Sequence, residues 1–307
     1  MKIFISSTYQ DLIDHRKKTA EAVERLGQQG ICMEVFGSRP DGATEICRQE
    51  IEESDIFVGI YAYRYGHIPP GSDLSITEME YNFAVDRKKP AFCFFVDDDY
   101  PWRPAFIDGE PGRSKLQAFK GRIGASLVRD TFTTPMELAF KVAASIGRYL
   151  FTKAVKEQLD RTAEKQPVGT EQSRNQVARR AERLSSIING SRILLVNDIP
   201  SQMSNVIRIL ESVGISVMIA SSTSQALSLL SANSFDLVIS DMRRGNVPDE
   251  GLRFLREMRD RGLHRPTILT VGQYDPDRGT PPYAFGITNR VDNLLNLTFD
   301  VLERVRG

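Results

Sequence analysis

Short apolar runs and longer stretches of helical periodicity alternate along the first half of the chain. Strands are predicted at Lys2 to Ser6, Ile31 to Val35, Asp55 to Ile60 and Ala91 to Val96. The last of these, AFCFFV, is continuously apolar, the pattern of a strand covered on both faces. A helix is predicted over Asp11 to Gln28, with Leu12, Ala20, Val23 and Leu26 on one stripe, and another over Ala43 to Glu53. A third precedes the fourth strand. Ser75 is placed to cap it, Glu78 three residues on to close a capping box, and Lys88-Lys89-Pro90 to end it. A register with Thr77 as N-cap and Glu80 in the box is also allowed. A helix over Pro111 to Arg122, a short strand at Ser126 to Val128 and a long helix from Pro135 complete this half. Thr134 is the N-cap of the long helix and Glu137 its box acid. Strands and helices alternating at this spacing predict a parallel sheet wrapped by helices, which binds ligands at the carboxyl ends of its strands.

From Tyr149 to Ile188 the pattern changes to charged and helical, broken at Gln166-Pro167-Val168-Gly169. Val177, Ala181, Leu184 and Ile188 step by four and three, a coiled-coil seam too short to be decisive. It suits either self-association or a helix laid against a domain. Asn189-Gly190 caps its end.

Composition narrows the function classes. At 307 residues the chain has length for two cores. Forty Lys plus Arg balance forty Asp plus Glu, which argues against a nucleic-acid partner. No apolar run is long enough to span a membrane and Met1 opens no signal peptide, so a cytoplasmic protein without a membrane partner is expected. Cys32, Cys47 and Cys93 lie at unrelated spacings and are expected as reduced, buried thiols. Three unclustered histidines argue against a His/Cys metal site.

Candidate chemistry gathers at the strand ends. Glu78 and Glu80 lie about 200° apart around a helix, so they cannot face one cleft. The box occupies Glu78 and leaves Glu80 free. The loops Ser6 to Tyr9, Tyr61 to Ser72 and Asp97 to Trp102 would rim the cleft. Ser6, Ser7 and Tyr9 with Arg64 and Trp102 form a candidate nucleotide-binding set, with hydroxyls and Arg64 on phosphate and aromatics on a base. Taken singly, Ser6 and Ser7 suit a plain chain turn and Trp102 plain packing; the functional reading rests on the set. There is neither GxGxxG nor a P-loop.

Glu80 followed by Ala84, Lys89 and a strand resembles the helix of TIR domains that carries their NAD-cleaving glutamate. KIFISSTYQDLIDHR (Lys2 to Arg16) and GIYAYRYG (Gly59 to Gly66) resemble more particularly a TIR-like family of uncharacterised domains, here named for its phenylalanine–isoleucine–serine–serine strand end. The resemblance implies NAD as substrate, Glu80 as the catalytic group and activity that depends on assembly into a homo-oligomer. One carboxylate is enough for that chemistry. The nicotinamide nitrogen is already cationic and leaves neutral, so a carboxylate beside the ribose need only stabilise an oxocarbenium-like transition state. Asp73 and Glu78 leave open a pair of opposed carboxylates.

Ser191 to Gly307 resembles a response-regulator receiver domain. RILLVND gives its first strand and acidic end, FDLVISDM ends in the phosphoacceptor position, Asp241, and TILTVG carries the hydroxyl residue, Thr270. The resemblance implies magnesium held by Asp198 and Asp241, and phosphorylation of Asp241. Three departures weaken the switch: Asn197 stands where an acid is expected, no lysine follows the next strand, where Arg290 is the nearest cation, and the proline-rich Gln273 to Pro282 leaves no room for the usual fourth helix. The expectation is an α/β protein of two doubly wound parallel-sheet domains. A TIR-like, flavodoxin-like domain spans 1–150, a helical connector 151–190 and a receiver-like domain 191–307. The implied role is bacterial signalling or antiphage defence with NAD cleavage, gated by an unidentified partner or upstream signal. The alternatives are a nucleotide-sensing or assembly module, or a phosphorelay regulator.

Overall fold

The computed structural model describes residues 1–32, 43–127, 129–164, 166–273 and 279–307. The chain divides into two compact units, Met1–Gly147 and Arg148–Gly307.

In the first unit β1 (Lys2–Ser7), β2 (Gln29–Ile31), β3 (Ile56–Tyr61), β4 (Ala91–Val96) and β5 (Asp130–Phe132) form an all-parallel sheet in the order β2-β1-β3-β4-β5. The helices are α1 (Ile13–Arg25), α2 (Ala43–Glu53), α3 (Ile76–Asp86), α4 (Gly112–Ser126) and α5 (Pro135–Ala163), the last running past the boundary between the units. Period-two alternation sorts the strand side chains onto two faces. Phe4, Phe57, Tyr61, Cys93 and Phe95 pack with residues of α2, α3 and α4. Ile3, Ile5, Val58, Phe94 and Val96 alternate with them and are buried too, as the continuous apolar runs required. The order reverses between β1 and β3, so the loops after these strands part and leave a crevice at their carboxyl ends.

Two strands differ from expectation. β2 starts at Gln29, with Met33 to Val35 outside the described residues. The last strand is Asp130–Phe132, not Ser126 to Val128: α4 runs on through Ser126, and Val128 is outside the described residues. At α5, Thr134 accepts the Glu137 amide as expected, while the Glu137 carboxylate takes the amide and hydroxyl of Thr133.

The second unit repeats the plan. Its strands are β6 (Arg192–Val196), β7 (Ser216–Ala220), β8 (Leu237–Asp241), β9 (Thr267–Thr270) and β10 (Gly286–Thr288), parallel in the order β7-β6-β8-β9-β10. Its helices are α6 (Glu171–Ile188), α7 (Ser204–Ser212), α8 (Thr223–Ala232), α9 (Glu250–Asp260) and α10 (Val291–Arg306). Among the described residues no helix lies between β9 and β10, though Tyr274 to Arg278 of that stretch are not described. Val177, Ala181, Leu184 and Ile188 of α6 are all buried, in one cluster with Leu294, Leu295, Phe299 and Leu302 of α10. Arg180 fixes the pair through Asp300 at 2.6 Å and Glu303 at 3.1 Å. The seam is therefore filled within the chain, and the route to self-association that it offered is closed. Val155 and Leu159 of α5 belong to the same cluster, so the connector is built into this unit's core.

Candidate functional site

Glu80 sits on the first turns of α3, a helix capped as the sequence required: the Ser75 hydroxyl accepts the Glu78 amide at 3.3 Å. The box closes on one side only. The Glu78 carboxylate turns away from the cap and receives the Tyr65 hydroxyl at 2.5 Å and Arg122 at 2.7 Å. Glu80 points elsewhere, as two-residue spacing demands, and its Oε2 accepts the Ser6 hydroxyl at 2.6 Å. The carboxyl is 6% exposed. Burial raises its pKa, and hydrogen bonds from the Cys47 thiol and from Ser6 only partly oppose that. Both donors are neutral, and among the described residues Glu80 makes no ion pair. The three cysteines are buried thiols outside any disulfide, and burial pushes the Cys47 thiol strongly upward.

Glu80 lines a cavity of about 240 Å³ at the crevice between β1 and β3, with Ser7, Tyr9 and Arg64. Ser6 stands behind Glu80. Arg64 reaches Gln10 at 3.1 Å and Asp108 at 3.4 Å. Gly66, with φ of 96°, lets the β3 loop close over the start of α3: a Cβ there would lie 3.2 Å from the Thr77 hydroxyl and 3.3 Å from the Thr8 methyl. Trp102 is not part of this cavity. It stands between two others, one with Asp11 and His15 and one with Tyr63 and Lys120. The third loop meets Tyr63 of the second loop away from Glu80, so it does not help rim the Glu80 cavity.

Sequence reasoning missed Arg16, which shapes this crevice. It is 2% exposed. Its guanidinium donates to the Ser7 hydroxyl at 2.8 Å and to the carbonyls of Thr8 at 2.5 Å and Tyr9 at 2.8 Å, and lies 5.1 Å from the Tyr9 ring centre. The loop after β1 is thus wrapped on a buried cation. An arginine on an otherwise apolar stripe is the signal that could have found it. Cys47 carried no such signal.

In the second unit Asp241 ends β8 and Thr270 ends β9, with the threonine hydroxyl 3.4 Å from Asp241 Oδ1. Burial raises the pKa of Asp241; the Met242 amide and Thr270 lower it, and the neighbouring Asp198 raises it further. Asp241, Thr270, Asn197 and Arg290 line one cavity of about 270 Å³, together with Gln166 and Pro167 from the connector. Asn197 is buried and its side-chain oxygen accepts the Ile199 amide at 2.7 Å; Asp198 accepts the Gly245 amide at 2.7 Å. Arg290 is held by Asp292 at 2.6 Å, and Asp292 also takes the Gly169 amide and Ser173 hydroxyl. Arg244, another residue the sequence did not single out, donates to the Ser240 hydroxyl at 2.6 Å and the Asp241 carbonyl at 2.8 Å.

Both units therefore belong to one class, doubly wound parallel α/β domains with an acid at the carboxyl end of the sheet. The family model of the response regulator receiver domain matches residues 193–284, and the C-terminal part of the chain carries such a domain. Residues 2–147 match a family described as a domain of unknown function, DUF4062. Curated relatives include telomerase protein component 1 of Mus musculus, 28% identical over 149 residues that cover 35% of this chain and 6% of that protein, and its Rattus norvegicus counterpart, with the same identity and coverage. The chain thus matches only about 6% of the length of these relatives. Similar solved structures include a response regulator receiver domain protein from Clostridium thermocellum (26% identity, 37% of this chain, 95% of that chain, TM-score 0.33). Another is the response regulator TrrA from Thermotoga maritima in complex with Mg²⁺ and BeF (23%, 36%, 98%, TM-score 0.32). Among the described residues no helix is long and apolar enough to cross a membrane.

Proposed function

We propose that this is a signalling protein in which a TIR-like first domain cleaves NAD at its nicotinamide–ribose bond, with Glu80 as the central carboxylate, alongside a receiver domain that does not act as an ordinary phosphorylation switch. The observation that carries the first part is a carboxylate buried beside a cavity with only neutral donors on it. Such a group costs free energy to ionise and gains most from a cationic ligand. The nicotinamide ring of NAD is a cation, and the ribose carbon next to it becomes one as the bond breaks. Glu80 then stabilises charge that grows in the transition state. Water adds to the ribose carbon, and nicotinamide leaves as a neutral base. The small cavity suits the nicotinamide riboside end, with the rest of the dinucleotide outside it; Ser7, Tyr9 and Arg64 orient that end. Cytoplasmic placement, a defence role and assembly into a homo-oligomer belong to the same reading.

Purified protein incubated at high concentration with NAD should release nicotinamide, read by chromatography. Glu80→Gln should abolish release while the fold is kept. Retained cleavage in that variant removes Glu80 from the chemistry, and no cleavage by the parent removes the activity.

For the receiver domain, Asp198 and Asp241 would hold magnesium. Two carboxylates suit an ion that keeps most of its waters, and no group of three acidic, histidine or cysteine ligands occurs among the described residues. A phosphoryl group on Asp241 would find Arg290 already paired with Asp292. Acetyl phosphate with magnesium should leave the intact mass unchanged. A stoichiometric phosphate that is lost in Asp241→Asn would make the domain a working phosphorelay receiver.

A further inference from the structure

The first unit carries a second groove, on the α4 side of the sheet end, of about 670 Å³. One wall is aromatic. Trp102 lies 6.2 Å from the Tyr63 ring and 6.4 Å from the Tyr100 ring, both steeply tilted, so the three rings form a corner on the groove's lining. Tyr63 pins the facing loop by donating its hydroxyl to the Asp98 carbonyl at 3.1 Å. The lining also carries three cations, Arg113, Lys120 and Arg129.

None of these three cations forms an ion pair among the described residues. Lys120 is the best placed. Its ammonium sits 5.3 Å from the Tyr63 ring and 5.9 Å from Phe95, and burial lowers its pKa. Arg129 lies across α4, donating to the Lys120 carbonyl at 3.0 Å. It can do so because position 124 is glycine: a Cβ there would fall 1.9 Å from the Arg129 Nε. The single carboxylate on the lining is Asp98. Burial costs the Lys120 ammonium more than the nearby Asp98 carboxylate returns, and an anion is the ligand that relieves it. Aromatic faces beside cations are the combination that takes a base together with its phosphate.

We propose that this groove binds a phosphorylated nucleoside, with its base against the Tyr63, Tyr100 and Trp102 corner and its phosphates on Lys120, Arg129 and Arg113. The groove is of ordinary ligand-site volume, whereas the Glu80 cavity falls below that range. It stands apart from the NAD-cleavage reading: neither its cations nor its rings touch Glu80, and either site can fail without the other.

The test is calorimetric titration of the full chain with ADP, with adenosine and inorganic phosphate as separate probes. ADP should bind, each half-ligand should bind far more weakly, and affinity should fall as salt screens the cations. Lys120→Met keeps the apolar stem in place and should weaken ADP by about tenfold, the size of one charge-assisted contact. Gly124→Ala raises helix propensity yet pushes Arg129 off its seat, and should weaken ADP by about threefold, the scale of one exposed charge contact. Glu80→Gln should leave ADP affinity unchanged. No ADP binding by the parent overturns the proposal. So does ADP binding that Lys120→Met leaves intact and Glu80→Gln removes. Binding of a single-stranded oligonucleotide without ADP binding would also overturn it, assigning the groove to a strand instead.

Discussion

The two sheets share one strand order, yet they treat the acid at the carboxyl end in opposite ways. In the first unit the acid comes from a helix: Glu80 reaches back from α3 to β1 and is held by Ser6 and Cys47 at the edge of the crevice cavity. In the second it ends a strand: Asp241 is half-buried, beside Thr270 and a second acid, Asp198. What surrounds the acid is more alike than the acid itself. A buried arginine locks each neighbouring loop by the same pattern, one guanidinium nitrogen to a serine hydroxyl and to the following carbonyl: Arg16 with Ser7 and Thr8, Arg244 with Ser240 and Asp241. The topology thus fixes where a site can be, and a buried cation fixes the loop around it. Whether the acid is closed off or open to a metal is decided by a few side chains of neighbouring elements.

The largest expected effect is on the arginine locks. Arg16→Ala leaves two carbonyls and a hydroxyl without their donor and should cost the first unit about 3 kcal/mol, the sum of a few charge-assisted bonds. Trp102 is the chain's one tryptophan and lies in this unit, so its fluorescence during urea unfolding reads that cost directly. Arg244→Ala should cost the second unit less, about 2 kcal/mol, because its Nε already lacks a partner. It should move the circular-dichroism transition and spare the fluorescence one. If both variants move both signals equally, the units do not unfold separately and the parallel loses its meaning.

A smaller effect separates the acids. The folded-state pKa of Glu80 is raised, so the native unit holds its proton more tightly than the unfolded chain does. Stability from this group is full below the ordinary glutamate range and is lost as pH rises through the raised value. The unfolding midpoint of the first unit should therefore fall on going from pH 4 toward neutrality, and Glu80→Gln should flatten that fall. An unchanged slope would mean that Glu80 ionises freely and is no buried partner for a cation.

Periodicity made the architecture legible. Continuous apolar strands, the Ser75 cap and the 166–169 break all lie where local physics places them. The angular argument also separated Glu78 from Glu80 correctly, because helix geometry alone decides it. What could not be read were long-range choices. The Glu78 carboxylate preferred Tyr65 and Arg122 to its own cap, and the α6 seam found its partner more than a hundred residues away on α10. Trp102 looked like part of the β1 crevice because loops at the same sheet end were assumed to meet. The loops after β3 and β4 do meet, through Tyr63 and Asp98, but away from Glu80, and Trp102 lines other cavities. Lys120 was hidden for the opposite reason: a surface-type residue on a helix looks ordinary until its burial is known.

The smallest effect tests how close the second unit stands to a working metal site. Asn197 occupies the place of an acid, and its side-chain oxygen already caps the Ile199 amide. Asn197→Asp keeps that acceptor, so the loop should hold. It adds a third negative charge near Asp198 and Asp241, and without metal the variant should lose about 0.5 kcal/mol to like-charge repulsion. With magnesium the sign reverses, since the added charge should tighten the ion by about tenfold, seen as a larger rise in melting temperature per millimolar magnesium. Acetyl phosphate should still leave no stoichiometric phosphate, because Arg290 stays clamped by Asp292, whose other partners tie it to Gly169 and Ser173 of the connector. If Asn197→Asp alone restores phosphorylation, the missing carboxylate was the whole defect. The contrast between a closed acid in the first unit and an idle one in the second would then rest on a single side chain.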